Sequence, residues 1–176
     1  MISREPIAYN GQKGREEEEM AKAEKTNVMR LLDSKKIPYT FHYYGDTDAV
    51  SGTEVAAVLG EAPEKVFKTL VAVGRTKQHY VFVIPVEQEL DLKKAAAAAG
   101  EKSMEMLKSK ELLPLTGYVH GGCSPIGMKK PFPTFLDTSA EEQDSICVSA
   151  GKIGYQIEIA PSVLAELTGA SFRDLT

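Results

Sequence analysis

The chain has no tryptophan, two cysteines and three histidines in 176 residues. Cys123 and Cys147 cannot build a disulfide framework, so a reducing, cytoplasmic setting is expected. His42, His79 and His120 lack the spacing of a helical histidine pair with an acidic third ligand, so neither a metal nor another cofactor is expected. No apolar run approaches the ~20 residues of a membrane-spanning helix. No basic stretch leads into an apolar segment as in a secretory signal. The net charge of −4 excludes a bulk electrostatic grip on nucleic acid, so any RNA contact must come from a local basic patch.

What remains is ordinary globular material, 43% hydrophobic and 26% charged. That length is enough for one domain with a true core. Residues 1–24 stand apart, with Glu16-Glu17-Glu18-Glu19, Gly11, Gly14 and few large apolar groups. They read as a flexible charged tail, partly helical after Arg15. The domain is expected over 25–176.

Local signals divide that domain into elements. Thr26 or Asn27 caps a helix with Val28, Leu31 and Leu32 on one face, ending before Pro38. Tyr39 to Tyr43 alternates as a strand. Ser51 and Glu54 form a capping box for a short helix closed by Gly60. Val66 to Val73 and His79 to Ile84 read as antiparallel strands. Asp91 caps an alanine-rich helix ending at Gly100. Lys108 to Leu113 reads as helix, Tyr118-Val119 and Thr134 to Leu136 as strands. Ile146 to Val148 and Tyr155 to Ile159 form a hairpin around Gly151 and Gly154. Pro161 to Leu167 is a helix, and Ala170 to Phe172 an edge strand. The order lacks regular βαβ alternation, so the fold class is α+β: one domain, a mixed, mainly antiparallel sheet, and peripheral helices.

Two segments carry the chemistry. Lys68 interrupts the apolar run Val66-Phe67-Lys68-Thr69-Leu70-Val71-Ala72-Val73. A lysine there either snorkels to solvent or holds its ammonium in a pocket. As strand neighbours, Lys68 and Thr69 point to opposite faces, so only one can face a pocket unless a bulge intervenes. Downstream, Gly121-Gly122-Cys123-Ser124-Pro125-Ile126-Gly127 packs three glycines and a proline into seven residues. Its bare N–H groups at Gly121 and Gly122 suit a carbonyl oxygen or phosphate. A methyl on Gly121 is expected to stand where such a carbonyl approaches.

These segments, with Leu90-Asp91-Leu92-Lys93-Lys94, Thr116-Gly117-Tyr118, Pro133-Thr134 and Val148-Ser149-Ala150-Gly151-Lys152, resemble the YbaK/EbsC-type Cys-tRNA(Pro) deacylases. That family lies in the superfamily of prolyl-tRNA synthetase editing domains. The resemblance spans residues 25 to 176 and implies a trans-editing hydrolase that cleaves the ester of mischarged aminoacyl-tRNA. It implies catalytic roles for Lys68 and Gly121, with Lys68 anchoring the acceptor end or orienting the ester. Substrate contacts are implied at Tyr44, Ser51, Thr69, Gly122, Ser124, Pro125, Ser149, Gly151 and Lys152, and tRNA contacts at Lys129 and Lys130. The partners implied are the aminoacyl-tRNA acceptor end and a prolyl-tRNA synthetase, with no membrane and no metal.

The resemblance also implies substrate-assisted chemistry, in which the cysteinyl thiol attacks its own ester. Cys123 then serves as a small, semi-buried filler and Cys147 as core. Ser124 lacks the Gly-x-Ser-x-Gly elbow of a serine nucleophile, and His120 adjoins the loop as a candidate base. Two residues depart from the family pattern: Ser51 replaces a common aromatic, and Gln156 a common acidic residue. Fold and reaction type survive both changes, whereas the aminoacyl group is less constrained. The alternatives are a deacylase for Ala or Ser and a catalytically silent aminoacyl-tRNA- or synthetase-binding module. A thiol redox protein is disfavoured, because Cys123 has no resolving partner nearby.

Overall fold

The computed structural model describes residues 25–49 and 51–176. The expected tail, 1–24, lies outside the described residues. Among the described residues, eight strands and five α-helices follow one another in an α+β order. Helix α1 (Asn27–Ser34) starts where Thr26 Oγ1 accepts from Met29 N. Strand β1 (Thr40–Tyr43) follows, then α2 (Gly52–Leu59), opened by the reciprocal Ser51–Glu54 capping box and closed by left-handed Gly60. Strands β2 (Phe67–Gly74) and β3 (His79–Pro85) pair antiparallel, with Lys68 opposite Ile84 and Thr69 opposite Val83. Asp91 caps α3 (Leu92–Ala99) by accepting from Lys93 N and Lys94 N.

The second half adds β4 (Met104–Met106), α4 (Ser109–Thr116), β5 (Thr134–Asp137), β6 (Ile146–Ser149), β7 (Tyr155–Ile159), α5 (Pro161–Thr168) and β8 (Ser171–Arg173). The expected strand at Tyr118-Val119 is absent. Tyr118 N donates to Thr116 Oγ1 and Gly122 N to Val119 O, so the segment folds on itself as a turn. Helix α4 runs past Pro114 to Thr116. Beyond the proline the Thr116 hydroxyl donates to Leu112 O and Gly117 N to Leu113 O, which closes the last turn. Strand β4 escaped the sequence reading because only three residues, beside Glu101-Lys102-Ser103, pair with the end of β2.

The mainly antiparallel strands divide between two sheets. One has the order β1-β7-β6, the other β4-β2-β3-β5-β8, in which β3–β5 and β5–β8 are parallel. A bridge from Val66 to Cys147 joins them. Between the sheets lies the main core: Val28 and Leu32 of α1, Phe41, Ile157, Phe67, Val83 and Leu136. The opposite face of the larger sheet places Tyr80, Phe82 and Ile84 against Ala95 and Ala96 of α3. Strand β3 is therefore covered on both faces, which explains its unbroken apolar run. No helix among the described residues is long and apolar enough to cross a membrane.

Phe82 is fully buried and stacks on Phe135 with ring centroids 5.5 Å apart. Phe82→Ala is expected to cost about 3–5 kcal/mol in denaturant unfolding. Because Phe82 faces α3 and not the main core, the fully folded variant should retain its function at low temperature. A loss below about 1 kcal/mol would mean that this face collapses around the gap.

Candidate active site

A cavity of about 340 Å³ opens where the two sheets meet, within the size range of small-molecule sites. Five consecutive residues, Val66 to Leu70, line it. Lys68 and Thr69 therefore both reach the cavity, with no bulge between them. The expectation that alternation admits only one fails for a topological reason. Strand β4 pairs only with residues 72–74 of β2, so the first half of β2 has β3 on one side and an open edge on the other. A cavity along an edge meets both faces.

Other elements close the walls. Tyr44 follows β1, Ser51 and Val55 come from the start of α2, and Leu112 comes from α4. The loop contributes His120, Gly121 and Cys123; the smaller sheet contributes Ser149 and Gln156. Of the expected site residues, Lys68, Gly121, Tyr44, Ser51, Thr69 and Ser149 converge here. Ser124 is fully buried outside the lining, where its Oγ accepts from Ile126 N. Pro125 and Lys130 line a separate depression beside Lys35, and Gly151, Lys152 and Lys129 line a third.

The loop's backbone differs from expectation in two ways. Gly122 N is engaged with Val119 O at 3.0 Å, so it is not a free donor. Gly121 N and Cys123 N have no acceptor among the described residues and remain the candidate carbonyl donors. A Cβ on Gly121 would meet Ile153 Cγ1 at 3.6 Å, so a methyl there points at Ile153 in ordinary contact. What demands glycine at 121 is its φ of +85°. At 122 the demand comes from the Ile153 backbone nitrogen, which would lie 3.0 Å from any Cβ there.

Among the described residues, Lys68 is the one lysine or arginine of the lining, and no Asp or Glu joins it there. Among the described residues it has no ion-pair partner. Two buried oxygens in the lining residues, Thr69 Oγ1 and Gln156 Oε1, find no hydrogen-bond partner among the described residues. Leaving such atoms unpaired costs about 1–3 kcal/mol each. A hydroxyl donor and an amide acceptor in a cationic cavity suit a polar ligand with its own donors and acceptors. Gln156 lines the cavity although only its departure from the family pattern marked it in the sequence. The signal for it was a polar residue between Tyr155 and Ile157, on the face of β7 opposite the core.

Burial pushes the Cys123 thiol up to about 12. The Cys147 thiol also stands at about 12, chiefly from burial and then from Glu158 and Glu61. Neither supplies a thiolate near neutral pH. His42, Cys147 and Glu158 have ligand atoms within 4.8 Å of one another, and are the described residues that come nearest to a metal set. His42 Nε2 lies 3.6 Å from Glu158 Oε1, and Ser145 Oγ donates to the other carboxylate oxygen.

The chain is similar to several known proteins. A family model described as the aminoacyl-tRNA editing domain matches residues 47–167. EbsC of Enterococcus faecalis, a Cys-tRNA(Pro)/Cys-tRNA(Cys) deacylase by assigned name only, is 49% identical over 154 residues, covering 87% of this chain and 94% of EbsC. A proline–tRNA ligase of Shouchella clausii is 27% identical over 73% of this chain, which spans 22% of that enzyme. A crystal structure described as a candidate trans-editing enzyme for prolyl-tRNA synthetase superposes with a TM-score of 0.75 at 25% identity. That match covers 88% of this chain and 99% of the other.

Two measurements test the site's construction. At pH 8 a thiol with a pKa of about 12 is ionised to only about one part in 10⁴, so native protein should resist iodoacetamide and react once unfolded. Rapid native labelling of Cys123 would overturn the assignment. The raised thiol values contribute stability present below the unfolded value of about 8.5 and lost as pH rises towards 12, so unfolding free energy should fall over that window. Gly122→Ala should separate the loop from the turn at Lys152-Ile153 and lower the melting temperature. Gly121→Ala should cost about 1–2 kcal/mol through its backbone angle alone. Equal melting of wild type and Gly122→Ala would show that the loop accommodates the methyl.

Proposed function

This chain belongs to the aminoacyl-tRNA editing-domain family, and from that membership we propose that it is a trans-editing hydrolase whose preferred substrate is Cys-tRNA(Pro). The observation that carries the reading is the cavity at the open edge of β2. Among the described residues it combines one lysine with the unengaged N–H groups of Gly121 and Cys123, and no ionised thiol or carboxylate lines it. Such a site polarises and orients an ester without supplying a protein nucleophile. The substrate's cysteinyl sulfur fills that role: it attacks the ester carbonyl as its proton leaves, a C–S bond forms, and the C–O bond to the ribose breaks. The ribose oxygen takes a proton, and water opens the resulting thiolactone to free cysteine.

Lys68 holds the acceptor end or the developing oxyanion. A cation about 4 Å from a unit negative charge contributes about 4 kcal/mol at an effective dielectric constant of about 20. Thr69 and Gln156 present a hydroxyl and an amide oxygen to the aminoacyl group, and Tyr44, Ser51 and Ser149 complete its walls. The catalytic domain is 25–176, preceded by a charged segment. A prolyl-tRNA synthetase is the expected partner. The two free, protonated cysteines support a cytoplasmic location.

Purified protein offered tRNA(Pro) charged with Cys, Ala or Ser should deacylate the cysteinyl form fastest, because a hydroxyl or methyl cannot replace the attacking sulfur. Preference for alanyl or seryl substrate would move the reading to another small aminoacyl group. No turnover of any would favour a binding module. Lys68→Ala should lower kcat/KM on the order of 10²-fold with unchanged melting. Lys68→Arg should restore part of that, since the guanidinium fork is bulkier and less adaptable. Full activity in a folded Lys68→Ala protein would remove Lys68 from the mechanism.

A further inference from the structure

A second depression, of about 430 Å³, lies on the far side of the β6–β7 turn from the ester cavity. Lys25, Arg30, Lys129 and Lys152 line it, and no Asp or Glu among the described residues does. These cations come from three places that only folding brings together: the start of α1, the segment after Gly127, and the β6–β7 turn. In a chain of net charge −4 the concentration is local. Lys25 is paired, with Nζ 2.6 Å from Asp33 Oδ2. Arg30 donates to the neutral Asn27 side chain, and Lys152 Nζ stands 5.3 Å from the centroid of the Tyr155 ring. Among the described residues, Arg30, Lys129 and Lys152 have no carboxylate partner.

The N-terminus of α1 opens into the same depression. Thr26, Asn27 and Val28 line it, and the first turn of the helix carries no acidic residue. Its partial positive charge adds to that of the side chains. The depression and the candidate ester site border the same turn. Ser149 lines the cavity and accepts from Gly151 N at 3.2 Å, whereas Gly151 and Lys152 line the depression. Gly122 packs on the backbone of the same turn. A polyanion whose end enters the cavity has this groove as its next cationic surface.

We propose that this groove binds the phosphodiester backbone of the RNA acceptor end, so that Arg30, Lys129 and Lys152 hold the strand that delivers the aminoacyl ester to Lys68. The inference rests on the editing-hydrolase reading and adds a binding site to it. The groove sets affinity for RNA, and the cavity sets the chemistry.

Arg30 tests it, because its side chain is exposed, lines the groove and does not line the ester cavity. Full-length wild type and Arg30→Glu are compared on three probes: an uncharged acceptor-stem minihelix, the same minihelix charged with cysteine, and cysteine ethyl ester, which has no phosphate. Binding of the uncharged minihelix, read by fluorescence anisotropy, should weaken about tenfold, and the slope of log K against log salt should become shallower by about one. KM for the charged minihelix should rise by a similar factor with kcat nearly unchanged. Hydrolysis of the ethyl ester and the melting temperature should not move. Equal minihelix affinity and salt slope in the two proteins would overturn the groove, whatever the enzyme does to the ester. Equal losses on minihelix and ethyl ester would also overturn it, because Arg30 would then act on the cavity. If wild type binds the minihelix through Arg30 yet cleaves neither ester, the groove stands and the hydrolase reading falls.

Discussion

The glycine loop lies against the β6–β7 turn so closely that a single added carbon at Gly122 would come within 3.0 Å of Ile153 N and 3.3 Å of the Lys152 backbone. That approach determines where everything else stands. It leaves Gly121 at φ +85° on the rim of the candidate cavity and holds Cys123 in its wall. On the turn's other side it fixes Gly151 and Lys152 against α1 and Tyr118. Cavity and groove are thus two sides of one backbone contact. An ordinary side chain there would have to move the turn, because backbone atoms, unlike the end of a flexible side chain, cannot swing aside.

The second organising feature is the incomplete pairing of β2. A strand buried between two neighbours presents alternate side chains to opposite faces and offers no room for a ligand along its edge. Here β4 meets only the last residues of β2, and the smaller sheet touches its start through the Val66–Cys147 bridge. The gap between them exposes one edge of residues 67–70. Lys68, on the face shared with Leu70, and Thr69, on the face shared with Val71, then serve one cavity. The fold needs no bulge or strained residue to bring them there.

Burial sorts the remaining candidates. Two cysteines near a lysine-bearing cavity suggest sulfur chemistry, yet desolvation raises both thiols to about 12 and keeps them neutral. Thr69 Oγ1 and Gln156 Oε1 are equally buried but carry no titratable charge to discard. Both residues keep unpaired oxygens at the cavity. The cavity brings together the Lys68 cation, the backbone of Gly121 and Cys123, and uncharged polar groups. That combination suits a substrate that brings its own nucleophile.

Local chemistry made much of this legible in the sequence. The caps at Thr26, Ser51 and Asp91, the left-handed closures at Gly60 and Gly100, and the β2–β3 and β6–β7 pairings rest on residues close together in the chain. The α+β class followed from their order, and Lys68 with the glycine loop stood out because each breaks the pattern of its own segment. Tertiary structure decided the rest. It divided the strands between two sheets, recruited Met104–Met106 as a strand, and turned Tyr118-Val119 back on Thr116. It also engaged Gly122 N with Val119 O, and placed Ser124 in the interior and Lys130 away from the groove. Each of these depends on which distant surfaces meet, as when Arg30 of the first helix comes to share a groove with Lys129 and Lys152. Hydrogen-bonding caps and alternation act over a few residues and are written in the chain; close packing acts through space, and only the folded molecule contains it.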